Sequence, residues 1–350
     1  MAAQSSSCEK GTGPKIFYLG AEESVIRPEA AARPLYFKEG QVHLRPVGAP
    51  DEDPSSPGDP RVDYDTPHKK PWGIDMVLYL FMKAVSTGVM LLGSLLWLAG
   101  DRSSLVTLAA PILSLIFITL TTIVLIVDLE RPERFYYILT RSNWRSWLVW
   151  GTWFLAAHGT ISAAWLVSGW MGWPRALDVL AVAALPVALL ATAYTAFLFA
   201  QGKGRDLWQG QHASLDLIAQ SGMAGAATLL IVGDVLDADM VHVMAVAGPV
   251  FVFSVLAHLV ILLFESVGSR SRTRHHELAI QTIRVGAYAR LFWGGAITAG
   301  CVVPLLIAAA LTVGSLPEAA LIMTACVLAL AGSAAWDYIW VEAGQSVPLS

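Results

Sequence analysis

The sequence predicts an all-α integral membrane protein with eight transmembrane helices. Three observations carry that expectation. Eight apolar stretches each run to about twenty residues, the length a helix needs to cross the hydrocarbon core. Tryptophans gather at the ends of these stretches, and basic residues crowd into alternate gaps between them. None of the runs shows the period-two alternation of a membrane strand, so the backbone groups must be satisfied within helices.

Taken in order, the spans are expected at Met76–Ala99, Leu105–Val127, Trp147–Ser168 and Leu177–Ala200. The second half repeats the count with Leu215–Gly233, Met240–Phe264, Leu291–Thr312 and Glu318–Trp340. Trp72, Trp97, Trp147, Trp150, Trp170, Trp173, Trp208, Trp293 and Trp340 mark span ends, where an amphipathic ring favours the headgroup layer. Pro132 stops the helix after the second span, and Gly202-Lys203-Gly204 forms a turn after the fourth, with no phosphate-loop spacing behind it. The acidic turn Asp234–Asp239 follows the fifth. Prolines and glycines within spans permit kinks and close helix approach and by themselves indicate no function.

Composition agrees: 55% of the 350 residues are hydrophobic, 14% are charged, and mean hydropathy is +0.56. The three cysteines, Cys8, Cys301 and Cys326, form no Cys-x-x-Cys pair, so the chain offers no iron–sulfur ligand set or disulfide framework of its own. Residues 1–71 are expected to be a polar extension, extended or disordered around the acidic, proline-rich Asp51–Pro60, and residues 72–350 the membrane domain. Ile16–Leu19 and Leu35–Phe37 within the extension suit either a loosely ordered tail or a segment that packs on a partner. Met1–Lys10 has no apolar core, so no signal peptide is expected there.

With both termini on one side, that side holds Lys69, Lys70, Arg131, Arg134, Arg141, Arg145, Lys203, Arg205, Arg270, Arg272, Arg274, Arg284 and Arg290. The other holds Arg102 and Arg175. The positive-inside rule then makes the termini cytoplasmic in a bacterial inner membrane, although a basic surface that docks a protein would produce the same asymmetry.

The loop after the second span reads Asp128-Leu129-Glu130-Arg131-Pro132-Glu133-Arg134-Phe135, followed by Asn143-Trp144-Arg145 and Trp150-Gly151-Thr152-Trp153. On composition alone this is an amphipathic connector. Its pattern resembles the NrfD/PsrC family, the membrane subunits of polysulfide-reductase-type complexes. Three further places are similar in order: Trp72-Gly73 through Thr87-Gly88, Tyr194-Thr195 with Leu207-Trp208, and Ala343-Gly344-Gln345. The resemblance runs from about Trp72 to the C-terminus.

This resemblance implies two four-helix bundles, no haem, and a quinone pocket at the membrane surface facing an iron–sulfur partner. The family's quinone ligands fall on the opening helix and the fourth span, here Tyr79 and Tyr194. Tyr79 replaces the family's histidine. A phenol still donates to a quinone carbonyl, but it titrates near pH ~10 and relays protons poorly at neutral pH.

Lys83 lies on roughly the same helical face as Tyr79 and Asp75. An ammonium within a membrane helix costs about 3 kcal/mol or more, and it either snorkels out or faces a cavity or counter-ion. Asp75, Asp128 and Glu265 are the candidate partners, and a Lys–Asp pair beside a quinone would supply protons. Asp75, Lys83 and Asp128 are therefore the expected proton-handling residues, with Tyr79, Tyr194 and His158 as expected quinone contacts. No metal site is expected.

The overall expectation is a quinone-reactive anchor subunit, not itself catalytic for the substrate half-reaction. It would work with a four-cluster ferredoxin-like iron–sulfur subunit and a molybdopterin oxidoreductase subunit, amid membrane lipid and without nucleic acid. Two rivals stand beside it. His158 in the third span, with His242 and His258 in the sixth, raises a haem b cytochrome; a transporter or proton-conducting module would place its substrate near mid-membrane, with inverted repeats.

Overall fold

The computed structural model describes residues 70, 72–128, 133, 135–210, 212–236, 238–268, 273–313 and 318–347. The expected polar extension lies outside these residues except for Lys70, as do Arg131, Pro132, Arg134, Arg270 and Arg272 of the basic loops.

Eight long helices form where the apolar runs lie: α1 (Ile74–Leu98), α2 (Leu105–Val127), α3 (Trp147–Trp170), α4 (Pro174–Ala200), α5 (Ala213–Val235), α6 (Met240–Val267), α7 (Leu291–Thr312) and α8 (Glu318–Gly344). Seven of them are long and apolar enough to cross a membrane. The exception, α3, has 24 residues and packs between α2 and α4. Its tryptophans, threonines and serines depress its average hydropathy, although Trp suits the membrane interface. The protein is a multi-pass, all-α membrane protein.

The helices divide into two bundles. In the first, α1 meets α2 and α4, and α3 closes the ring between them; α5, α6, α7 and α8 repeat this contact order in the second. Both bundles begin on the same side, so the repeat is parallel rather than inverted. The side where α1 begins and α8 ends also carries Lys70, Arg141, Arg145, Lys203, Arg205, Arg284 and Arg290, and is called the basic face below.

The bundles meet where α1 crosses α5. A Cβ on Gly88 would lie 1.9 Å from the Ser221 carbonyl oxygen and 2.7 Å from the Gly225 nitrogen, so only two glycines allow this approach. Close contact replaces hydrophobic segregation as the driving force, because lipid is as apolar as the side chains. The outer helices turn apolar residues to lipid: Ile112, Ile116, Leu120, Ile123 and Val127 form an exposed stripe on α2. Two cores stack along the helices. The one away from the basic face is mainly aliphatic, with Leu92, Leu96, Leu105, Leu177 and Leu229 around Trp97 and Trp165; the one beneath the basic face is rich in aromatics, with Tyr79, Tyr194, Phe199, Trp208, Trp336 and Trp340.

Candidate functional site

The aromatic core holds the charged cluster. Tyr79 is one and a half turns into α1 and Lys83 a turn further, about 13 Å from the start of the helix by its rise. Lys83 is 1% exposed, so the ammonium is held inside the protein and does not snorkel to the surface. It donates to Thr195 Oγ1 and, at 3.3 Å, to the Thr192 carbonyl. Its Nζ lies 5.2 Å from the centre of the Tyr79 ring and 5.1 Å from that of Tyr194, within cation–π range of both. The two phenols hydrogen-bond each other, and Tyr79 Oη is 3.4 Å from Thr195 Oγ1. Two phenols, one ammonium and one hydroxyl thus converge from α1 and α4.

Local sequence explains how Tyr194 is seated. A Cβ on Gly151 would lie 2.0 Å from Tyr194 Cε2, so the glycine of the Trp150-Gly151-Thr152-Trp153 motif is the floor under that ring. Phe154 flanks it, with ring centres 6.2 Å apart. Above the site, Gln345 donates to the Trp72 carbonyl at 2.6 Å and accepts from its amide at 3.3 Å. Trp72 packs on Trp208 and Phe199 at 4.6 and 4.3 Å between ring centres. The separated motifs at Trp72, Gly151, Tyr194, Trp208 and Gln345 therefore meet on the basic-face side of the first bundle.

The other expected site residues lie apart from this cluster. Asp75 and Asp128 are exposed at the basic face, whereas the hydrogen bonds of Lys83 run to Thr195 and the Thr192 carbonyl. The two carboxylates interact with each other: partial desolvation, and then the neighbouring Asp75, push the Asp128 carboxyl above the ordinary carboxylate range. His158 is buried in a separate knot, its Nε2 3.1 Å from both Ser86 Oγ and Ser114 Oγ. His258 instead pairs with Asp216 in the second bundle, Nδ1 to Oδ1 at 2.6 Å. The two histidines thus serve different bundles and do not form a bis-histidine pair. No group of three His, Cys, Asp or Glu able to hold a metal ion occurs among the described residues.

Sequence reasoning missed four groups. Thr192 and Thr195 hold Lys83 and gave no signal, because hydroxyls are common in membrane helices. Asp216 and Asp337 did give one: a carboxylate inside a span is a functional candidate in its own right. Asp337 is 2% exposed and interacts electrostatically with both Lys83 and Asp216.

A cavity of about 710 Å³ opens toward the opposite face, lined by residues such as Met244, Phe251, Ile307 and Ile322. Its lining is mainly aliphatic, without the two phenols and the ammonium that converge at the Tyr79–Tyr194–Lys83 cluster.

Fold and site define a class: polytopic helical membrane proteins with a buried phenol–ammonium cluster near one membrane surface. Within that class the chain belongs to the NrfD family, whose description "Polysulphide reductase, NrfD" matches residues 64–348. It is also similar to a putative membrane subunit of dimethyl sulfoxide reductase from Halobacterium salinarum, 26% identical over 189 residues. That match covers 47% of this chain and 43% of the relative.

Proposed function

We propose that the protein is the quinone-reactive membrane subunit of a multi-subunit oxidoreductase, with quinone bound at Tyr79, Tyr194 and Lys83. The observation that carries this reading is the convergence of two phenols and an ammonium, all buried, within the basic-face half of an NrfD-family bundle. A quinone head needs donors for its two carbonyl oxygens and a proton source where negative charge develops; this cluster contains both kinds of group. The phenols bond each other in this conformation, so an entering carbonyl exchanges that bond for one to itself.

When bound, quinone supplies two-electron, two-proton redox chemistry. The chain's own residues orient and protonate. Tyr194, seated on Gly151, fixes one carbonyl; Tyr79 aims at the same space. Lys83, held by Thr195 and the Thr192 carbonyl, offers its remaining N–H bond toward the phenols. The surrounding aromatic core excludes bulk water, which strengthens each of these interactions.

Electrons would come from, or pass to, a four-cluster ferredoxin-like iron–sulfur subunit docked at the basic face, with a molybdopterin subunit handling the substrate. The basic bias supports a cytoplasmic position for that face and the termini. The name of the Halobacterium relative fits a membrane subunit in such a complex.

Tyr194→Phe and Lys83→Met test the reading in the assembled complex. Each is expected to lower quinone turnover by about a hundredfold, the scale of positioned acid–base catalysis, while artificial-dye activity of the catalytic subunit survives. Wild-type quinone turnover in both variants would place the pocket elsewhere. A Soret band in the purified chain would favour the cytochrome instead.

A further inference from the structure

The second bundle contains a buried titratable network that the quinone site does not use directly. Asp216 on α5 is its hub. Its Oδ1 meets His258 Nδ1 at 2.6 Å, and its Oδ2 accepts from Gln220 Nε2 and Trp336 Nε1, each at 2.9 Å. Ser333 donates to Gln220 Oε1 at 2.8 Å, which fixes the amide's orientation. Glu265 lies two helical turns beyond His258 on α6, on the same face, and interacts electrostatically with Asp216. Asp337, on α8 next to Trp336, reaches electrostatically to Asp216 on one side and to Lys83 on the other.

Two features separate this network from ordinary helix glue. Three of its atoms, His258 Nε2, Glu265 Oε1 and Asp337 Oδ2, are buried without a hydrogen-bond partner among the described residues, in side chains no more than 6% exposed. Buried polar atoms are normally satisfied, so three open positions along one path call for an explanation. The charge inventory is also unbalanced. Asp216, Glu265 and Asp337 face Lys83 and His258, three acids to two bases. An unpaired charge in a dry interior is strongly disfavoured, so a network with more acids than bases favours retaining a proton.

The network also has a direction. Glu265 is at the basic-face end of α6, where a widened turn at Phe264–Gly268 interrupts the regular helix. Its Oε1 would be 2.9 Å from a Cβ on Gly210, in the surface loop between α4 and α5. The other end of the series is the Lys83 ammonium. Every member lies in the basic-face half of its helix, whereas the core beyond them is apolar.

We propose that Glu265, the His258–Asp216 pair and Asp337 form a proton relay between the basic face and Lys83, serving the quinone site from the second bundle. This rests on the reading of Tyr79, Tyr194 and Lys83 as that site. Each quinone reduced takes two electrons from the reduced iron–sulfur partner and two protons from Lys83. Lys83 is recharged by Asp337, and the deficit passes through His258–Asp216 and Glu265 to water at the basic face, with water bridging the gaps between links. In quinol oxidation the same groups carry two protons outward. Protons and electrons then share one membrane side.

The test uses the complex with its native partners, with three readouts: quinone turnover, binding of a quinone analogue by tryptophan quenching, and the protonated-carboxyl band in redox-difference infrared spectra. Glu265→Gln and Asp337→Asn are expected to cut turnover by about tenfold or more, leave analogue affinity within about twofold, and remove a band that shifts in deuterated water. Glu265→Asp should restore part of both rate and band. Gly210→Ala, which crowds the Glu265 carboxyl from outside the span, supplies a second route should Glu265→Gln not assemble, and should slow turnover in the same way. Wild-type turnover and an unchanged band in the relay variants, with Lys83→Met still inactive, would overturn the relay and leave the quinone site standing. If Lys83→Met and Tyr194→Phe also reduce quinone normally, the site itself falls and the relay with it.

Discussion

Gly151→Ala is a small change whose consequence follows directly from the geometry. A Cβ at this position would lie 2.0 Å from Tyr194 Cε2, 2.5 Å from Cζ and 2.7 Å from Cδ2. Ordinary contact begins at 3.4 Å, so the phenol must move by about 1.4 Å, unless α3 retreats from α4 by the same amount. Either movement disturbs the Tyr79–Tyr194 hydrogen bond and the position of the ring beside Lys83. Overpacking of this kind typically costs about 1–3 kcal/mol of stability. The functional loss should be larger, because a misplacement of about 1 Å in a positioned group can cost about a hundredfold in rate. The assay is quinone turnover by the assembled complex, with dye-linked activity as the control for assembly. The expected outcome is a strong loss of quinone turnover with dye activity and membrane insertion retained. A Gly151→Ala complex that turns over quinone at the wild-type rate would refute the placement of Tyr194 in the site.

Two more predictions concern the surface. The partly desolvated Asp128 carboxyl lies above its ordinary range, so the folded protein binds its proton more tightly than the unfolded chain does, and stability falls as pH rises from the ordinary carboxylate range through the raised value. Asp128→Asn should therefore melt higher than the wild type at neutral pH, with the gap closing in acid; a pH-independent gap would contradict this origin. For topology, a cysteine placed at Glu277, exposed on the surface helix Arg274–Arg284, should be labelled only from the cytoplasm. Labelling from the opposite side alone would invert the orientation and leave the basic residues to be read as docking charge.

Much of the architecture was legible because lipid imposes simple demands. The expected spans fall within a few residues of the helices, since apolar length and flanking charge determine where a helix can enter and leave the bilayer. The Trp-rich third span was found by its length and end residues although its mean hydropathy is low. Lys83 was singled out by the cost of burying an ammonium, and it is buried; its hydrogen-bond partners are not carboxylates but Thr195 and the Thr192 carbonyl. No local pattern reports a pairing between residues dozens of positions apart or more. For the same reason His158 could be placed in a span but not matched to Ser86 and Ser114, and Asp75 and Asp128 could be assigned to a surface but not to its exposed rim. Asp216 and Asp337 are legible in the sequence as intramembrane carboxylates, a functional signal as strong as that of the histidines.

The parallel repeat of the bundles gives these separate observations a common origin. Tyr79 and Lys83 precede Gly88 on α1 by the same intervals at which Asp216 and Gln220 precede Gly225 on α5, and the two glycines cross each other. Each pair is then completed by the fourth helix of its own bundle: Tyr194 and Thr195 from α4, Ser333 and Trp336 from α8. One geometric position has thus been given two chemistries, phenol with ammonium in the first bundle and carboxylate with amide in the second. That divergence hides the repeat in the sequence, because what is preserved is the depth and facing of polar residues, not their identity. It also accounts for the placement of Asp337 between the two clusters. Two sites related by a crossing of their central helices are necessarily close at that crossing, and a carboxylate on α8 near the junction reaches both.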